Sequence, residues 1–232
     1  MKLSIIFPAY NEGERILSVL ENYYSFFKKN LKNNFEIIIV PNNCSDNTVE
    51  IVKKFCSDKG EVSFFEIKDY SGKGGAVMKG FELAKGDLIG FVDADESTSP
   101  EEFFKLYLNI GNYEGIIGSR RIKGAKIIPK RKFSKSISSL GFNLIVRALF
   151  DFGYRDTQCG AKIFKKEVAK YLTKNFKEIG WIFDIDLLNL CKKKSYKIRE
   201  FPILWVDDEG SHISSLDGIK SVLRVIRYKF IF

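Results

Sequence analysis

Two aspartates, Asp93 and Asp95, stand at i and i+2 where the apolar run Ile89-Gly90-Phe91-Val92 ends. A core strand that runs out into ionised carboxylates needs a cation or hydrogen-bond donors to offset their burial, and an oxygen-only pair suits Mg²⁺ or Mn²⁺. The same stretch also fits a helix start, since Asp95, Ser97 and Ser99-Pro100-Glu101-Glu102 are all favourable near an N-terminus. Both readings stand on these residues alone. Gly72-Lys73-Gly74-Gly75 could cradle phosphate through backbone N–H groups at a helix N-terminus. It matches neither the Walker A nor the GxGxxG pattern, however, so by itself the signal is weak and a simple turn is the default reading. Three later clusters mix polar groups with glycine or an aromatic ring: Arg155 to Gly160, Gly180 to Asp186, and Trp205 to His212. Asp184 and Asp186 open a helix over 187–194, where acidic charge is favoured in any case, and beside an aromatic they could also accept sugar hydroxyls. His212, the one histidine, reads as a solvated loop residue, with metal or phosphate contact as the alternative.

The elements that position these groups follow from periodicity. Leu3 to Phe7, Phe35 to Val40, Val62 to Ile67 and Asp87 to Val92 are short apolar runs rich in β-branched residues. Between them Ile16, Val19, Leu20, Tyr23 and Phe27, then Val49, Val52 and Cys56, then Val77, Phe81 and Ala84 fall at helical spacing. Strands alternating with helices imply βαβ units, a mostly parallel sheet with helices on both faces, and ligands at the strands' C-terminal ends. All of these strand-end loops and the Asp93/Asp95 pair then emerge on one edge. Beyond residue 115 the alternation fades after a short strand ending at Arg120, which suggests a second half that completes a pocket without repeating the pattern.

At 232 residues the chain fits one domain. The expected parts are a regularly alternating half over 1–118, a second half over 119–216, and an amphipathic helix over 217–232. Four scattered cysteines without a CxxC pair signal neither a disulfide framework nor a zinc site. A reducing compartment fits, and with no basic leader and no stretch long enough for a membrane span, neither secretion nor a transmembrane anchor is expected. The net charge is +9. Residues 120–150 hold nine bases (Arg120, Arg121, Lys123, Lys126, Lys130, Arg131, Lys132, Lys135, Arg147) and no acid, so the other 29 bases balance the 29 acids. Such a local excess faces phosphates of a nucleotide, a nucleic acid or a lipid head group. Phe133 to Phe150 reads as a long apolar helix with Lys135, Ser139, Asn143 and Arg147 in one stripe. Gly218 to Phe232 carries Ile219, Val222, Leu223, Ile226 and Phe230 on one face among four bases. Two basic amphipathic helices point to peripheral contact with the cytoplasmic face of a membrane.

In order along the chain come Phe7-Pro8-Ala9-Tyr10-Asn11-Glu12, the Asn-Ser-Asp-Thr turn at 42–48, Gly72-Lys73-Gly74-Gly75-Ala76, Asp93-Ala94-Asp95, Gly118-Ser119-Arg120, Asp156-Thr157-Gln158-Cys159-Gly160 and Trp181-Ile182-Phe183-Asp184. This ordered set resembles family 2 inverting glycosyltransferases, in the branch of dolichyl-phosphate glucosyltransferases and mannose synthases, and the last two motifs look closer to the glucosyl members. The resemblance implies an α/β, A-type glycosyltransferase fold with a Rossmann-like sheet, Mg²⁺ or Mn²⁺, a nucleotide-diphosphate sugar donor (UDP-glucose favoured) and a polyprenyl or dolichyl phosphate acceptor, with a nucleotide-sugar-binding half over 1–118 and an acceptor and sugar half over 119–216. It places Pro8, Ala9, Tyr10, Glu12, Asn42, Lys73 and Asp93 at the nucleotide, Asp93 and Asp95 at the metal, Arg120, Arg131 and Ser134 at the acceptor phosphate, and Gln158 and Asp184 at the sugar. Asp95, Arg120, Arg131 and Asp184 are the implied catalytic set. Three departures stand out. Asn42 replaces a usual Asp, His212 a common Lys, and no C-terminal transmembrane pair follows. A family 2 transferase using a sugar or polyol hydroxyl is the alternative, and outside enzymes, a basic nucleic-acid-binding protein. No nucleic acid is expected, because the aromatic-interleaved signals of such a protein are missing.

Overall fold

A computed structural model describes residues 1–129, 133–180, 182–207 and 215–231, with side chains described for all of these except 133–139, 215–221 and 231. Arg131, Trp181 and His212 lie outside the described residues, and of Ser134 only the helical backbone is described.

The first half is built as the periodicity predicts. Strands β1 (Leu3–Ala9), β2 (Phe35–Pro41), β3 (Val62–Phe64) and β4 (Leu88–Val92) are parallel and alternate with helices α1 (Ile16–Leu31), α2 (Thr48–Cys56) and α3 (Gly72–Leu83). All of β1 and β4 is buried, as expected of strands covered on both faces. Leu3, Ile5 and Phe7 pack against α1, α2 and α4 (Pro100–Asn109), while Ile6 on the opposite face joins Ala76, Val77 and Phe81 of α3. At Gly80 an added Cβ would meet Ile6 Cγ2 at 2.4 Å, so glycine sets how closely α3 lies on β1.

Two expectations change. Strand β3 ends at Phe64 and not Ile67; beyond it only a single bridge, Asn42 to Ile67, continues the pairing. The half beyond residue 115 extends the same sheet: β5 (Gly115–Ser119), β7 (Ala161–Lys165) and β8 (Ile198–Pro202) complete the order β3-β2-β1-β4-β7-β5-β8 among the described residues. Strand β7 runs antiparallel to both neighbours. Its pattern is broken by Lys162, fully buried in an otherwise apolar run, and β8 carries Arg199 and Glu200, so neither reads as a core strand. A short parallel pair, β6 (Lys126–Ile128) and β9 (Leu204–Val206), lies apart from the sheet.

Helices α6 (Lys166–Asn175) and α7 (Phe183–Lys193) cover the face that α3 covers. Onto this layer pack α5 (Phe133–Phe150), with the predicted bounds, and α8 (Ser215–Ile231). They meet through Val146 and Phe150 on α5 and Val225 and Tyr228 on α8, with the Phe150 and Tyr228 rings 5.9 Å apart. The predicted apolar face of α8 points outward. Leu223 is 62% exposed and Phe230 80%, and on α5 Leu140 and Leu144 are 60% and 64% exposed.

Candidate active site

Parallel register brings the ends of β1, β2 and β4 to one edge of the sheet. The loops after β1 and β2 are latched together: Asn42 N donates to Ala9 O (2.9 Å), Gly13 N to Asp46 Oδ2 (2.9 Å), Ser45 N to Asn11 Oδ1 (2.8 Å) and Glu12 N to Thr48 Oγ1 (2.8 Å). Pro8 and Ala9 are buried at the end of β1, and Tyr10 lies just beyond them, 55% exposed. Asn42 is buried and fully engaged, its Nδ2 donating to Gly72 O (3.0 Å) and its Oδ1 accepting from Ser71 N (3.2 Å) and Ser71 Oγ (3.1 Å). An aspartate could not make the first of these bonds, so Asn at this position ties β2 to the start of α3. Gly72 to Gly75 form the first turn of that helix and not a free loop, and Gly74 N is already bound to Ile179 O (3.0 Å).

Asp93 follows β4 and contacts Lys73 Nζ of α3 through Oδ1. Its backbone N donates to Gly160 O (3.1 Å), and a Cβ at Gly160 would fall 2.0 Å from the Asp93 carboxylate, so only glycine admits the Asp156–Gly160 motif this close. Asp95 accepts from Ser97 N (3.0 Å). Burial raises its pKa, and the charge of Asp93 raises it further. Glu12 is raised as well, by burial first, with the contacting Arg15 opposing and Asp95 and Asp93 adding. Lys73 is held protonated: burial works against its charge, but Asp93 and Asp184 outweigh it. No group of three or more His, Cys, Asp or Glu side chains close enough to ligate a metal occurs among the described residues. A carboxylate pair, hard in its oxygens and with Lys73 offsetting only one of its two charges, fits an ion such as Mg²⁺ or Mn²⁺ that keeps waters and takes its remaining ligands from a diphosphate.

On the other side of Asp93, Arg120 directly follows β5. Expected to face an acceptor phosphate, it places Nε and Nη2 on Asp156 Oδ2 (2.7 Å) and Oδ1 (2.9 Å), and its guanidinium lies 4.8 Å from the Trp205 ring centroid. Burial opposes ionisation of Asp156, but the Arg120 guanidinium prevails and carries it down to about 2. Next along the motif, Thr157 donates through N (3.3 Å) and Oγ1 (3.2 Å) to Asn143 Oδ1 of α5, while Gln158 is half-buried. Burial pushes the Cys159 thiol up to about 12, which removes it as a nucleophile.

Asp184 and Asp186 lie in the first turn of α7, and both are buried. Asp184 Oδ1 holds Lys162 Nζ, which also donates to Cys159 O (2.7 Å); burial raises the Asp184 pKa against the pull of Lys162 and Lys73. Asp186 accepts from the Tyr228 hydroxyl through Oδ1, and from Lys177 N (2.8 Å) and Glu178 N (2.9 Å) through Oδ2. Sequence reasoning missed Lys162. The available signal was a lone charge inside Ala161–Phe164, which a buried strand tolerates only with a partner.

Residues 4–173 match the model of glycosyl transferase family 2. A dolichyl-phosphate beta-glucosyltransferase of Dictyostelium discoideum is 32% identical over 99% of this chain and 75% of its own length, and one of Saccharomyces cerevisiae is 33% identical over the same shares. Among solved structures, glucosyl-3-phosphoglycerate synthase from Mycobacterium tuberculosis with Mn²⁺, UDP and glucosyl-3-phosphoglycerate superposes with a TM-score of 0.69 at 15% identity, over 99% of this chain and 78% of that one. S. aureus TarS with UDP-GlcNAc gives 0.62 at 20% identity, over 100% and 67%. These two likenesses show the A-type glycosyltransferase fold. Parallel strand ends, a carboxylate pair and ordered motifs thus coincide with a family match over most of the chain: it belongs to glycosyl transferase family 2 and is a glycosyltransferase.

Proposed function

We propose that this enzyme transfers a hexose, with inversion, from a nucleotide-diphosphate sugar, UDP-glucose by preference, to the phosphate of a polyprenyl or dolichyl phosphate at a membrane surface. One observation carries the choice of acceptor. An alcohol must lose a proton as it attacks, so it needs a positioned general base. Asp184 and Asp186 are the carboxylates a hydroxyl acceptor would call on, and both are buried and bound, one to Lys162 and the other to Tyr228 and two backbone amides. A phosphomonoester, with a second pKa of about 6, brings its own anionic oxygen and needs cations instead. The names of the relatives agree with this choice.

In the reaction, an acceptor phosphate oxygen forms a bond to the anomeric carbon while that carbon's bond to the diphosphate oxygen breaks on the opposite face. Asp93 and Asp95 would hold a divalent cation, which when bound neutralises charge on the departing nucleotide diphosphate. Lys73 supplies a second positive charge beside Asp93. Pro8, Ala9, Tyr10 and Glu12 border the nucleotide, Gln158 the sugar. Arg120, fixed by Asp156, orients the acceptor side together with Arg131 and Ser134. The outward apolar residues of α5 and α8, next to the acid-free segment, lie against the lipid, and the basic excess favours an anionic cytoplasmic leaflet. No helix among the described residues is long and apolar enough to cross a membrane.

The test is a donor-by-acceptor screen with radiolabelled nucleotide sugars. Product should form from UDP-glucose and a polyprenyl phosphate, and Arg131→Ala should raise the acceptor KM more than the donor KM, with Arg131→Lys between, because Lys acts as a point charge where Arg binds two oxygens. Equal rates on a free alcohol would overturn the reading.

A further inference from the structure

Helix α8 reaches the donor side of the site through one short segment. Arg224 contacts both oxygens of Glu178, Nη2 to Oε1 at 2.6 Å and Nε to Oε2 at 3.2 Å, and Glu178 Oε1 also accepts from Gly180 N (2.9 Å). Four residues further along α8, Tyr228 donates to Asp186, whose other oxygen accepts from Lys177 N and Glu178 N. Segment 177–180 is therefore gripped from α8 at two points. Its opposite side is pressed on the start of α3: Ile179 O accepts from Gly74 N, a Cβ at Gly72 would meet Ile179 O at 2.1 Å, and one at Gly74 would meet Glu178 O at 2.7 Å. At Gly180 a Cβ would meet Arg224 Nη1 at 2.8 Å. Glycine thus marks both contacts, Gly72 and Gly74 on α3 where the backbone of the segment closes in, and Gly180 within the segment where the guanidinium does. Between Gly72 and Gly74 stands Lys73, the cation on Asp93.

We propose that Arg224 and Tyr228 are positioning residues of the donor site: through residues 177–180 they seat the first turn of α3 and so fix Lys73 against Asp93. This rests on the donor reading above and adds to the lipid-facing role of α8 a second role, as a support of nucleotide binding. The Arg224 side chain is half exposed, so its ion pair contributes little to global stability. What it supplies is geometry, and that separates the proposal from a purely structural role.

Three measurements on the full chain test it: UDP affinity with Mn²⁺ by calorimetry, KM and kcat for donor and acceptor, and amide hydrogen exchange at Gly74 without nucleotide. R224Q should weaken UDP binding roughly tenfold, about 1.4 kcal/mol, raise the donor KM, leave the acceptor KM unchanged, speed exchange at Gly74, and leave Tm nearly unmoved. R224K should fall between R224Q and wild type. Y228F, which keeps the ring against Phe150 and removes the hydroxyl, should move the same quantities in the same direction. Faster Gly74 exchange in variants of a protein that binds no UDP would leave the seating intact and sink the donor reading. Wild-type UDP affinity and wild-type Gly74 exchange in both R224Q and Y228F would overturn the proposal.

Discussion

Asp95 is half-buried, bears a raised pKa and sits beside a second carboxylate that Lys73 already pairs, an arrangement that costs stability until a further cation offsets Asp95. Asp95→Asn removes one charge at nearly constant size. It should lower turnover at least about 100-fold, given what electrostatic groups at developing charge contribute, with Tm unchanged or higher. Excess EDTA should abolish wild-type turnover and added Mn²⁺ restore it; full activity in chelator would refute metal dependence. Asp156 presents the opposite case. Its folded pKa of about 2 lies below the ordinary 3.8, so the Arg120 pair contributes stability that is fully present above about pH 4 and is lost as pH falls through about 2. Because removing one partner strands the other in the interior, Asp156→Asn should cost roughly 3–5 kcal/mol, read by urea unfolding at pH 7, and the variant's stability should fall less steeply than wild type below pH 4.

Helix α5 connects two surfaces. Outward it offers Leu140 and Leu144, and inward Asn143 holds both Thr157 donors. Asn143→Leu would leave those donors unpaired in a buried site at a cost of about 1–3 kcal/mol, measurable as a lowered urea midpoint. The bounds of α5 were legible because apolar residues recur through Phe133–Phe150 with no proline and a single glycine, Gly141. The outward face of α8 was legible too, but its inward face was not: Tyr228 reads as one more aromatic until Asp186 is placed opposite it. The same holds at the site. Asp93 and Asp95 announce themselves by standing at the mouth of an apolar strand, and the Asn42 departure is visible in sequence. The partners that decide chemistry, Lys162 for Asp184 and Asp156 for Arg120, lie 22 and 36 residues away, and pairing across such separations is set by sheet order, which local periodicity does not encode. Strand β7 went unread for a related reason, its one buried lysine imitating a surface strand.

The basic excess of the whole molecule is confined to one segment, with nine bases and no acid in 120–150, a stretch that includes helix α5. Neutralising Lys130, Arg131 and Lys132 should cost about 3 kcal/mol of affinity for anionic vesicles, at about 1 kcal/mol per base near the surface, and the loss should shrink as salt rises. Co-flotation with phosphatidylserine vesicles reads this, and flotation unaffected by that change together with deletion of 218–232 would remove lipid contact from the account. Strand β7 has a consequence for the order in which the chain acquires structure. It is made after β5 yet lies between β4 and β5, so a nascent chain that stops short of residue 161 has β4 with one bare edge and no Gly160 carbonyl for Asp93 N. Such an edge is a template for mispairing. A nascent chain of residues 1–118 therefore holds the motifs proposed for the nucleotide but not a folded site, and the isolated 1–118 fragment should aggregate and fail to bind UDP, while the central pairing forms late, as a long-range, slow-closing step of synthesis.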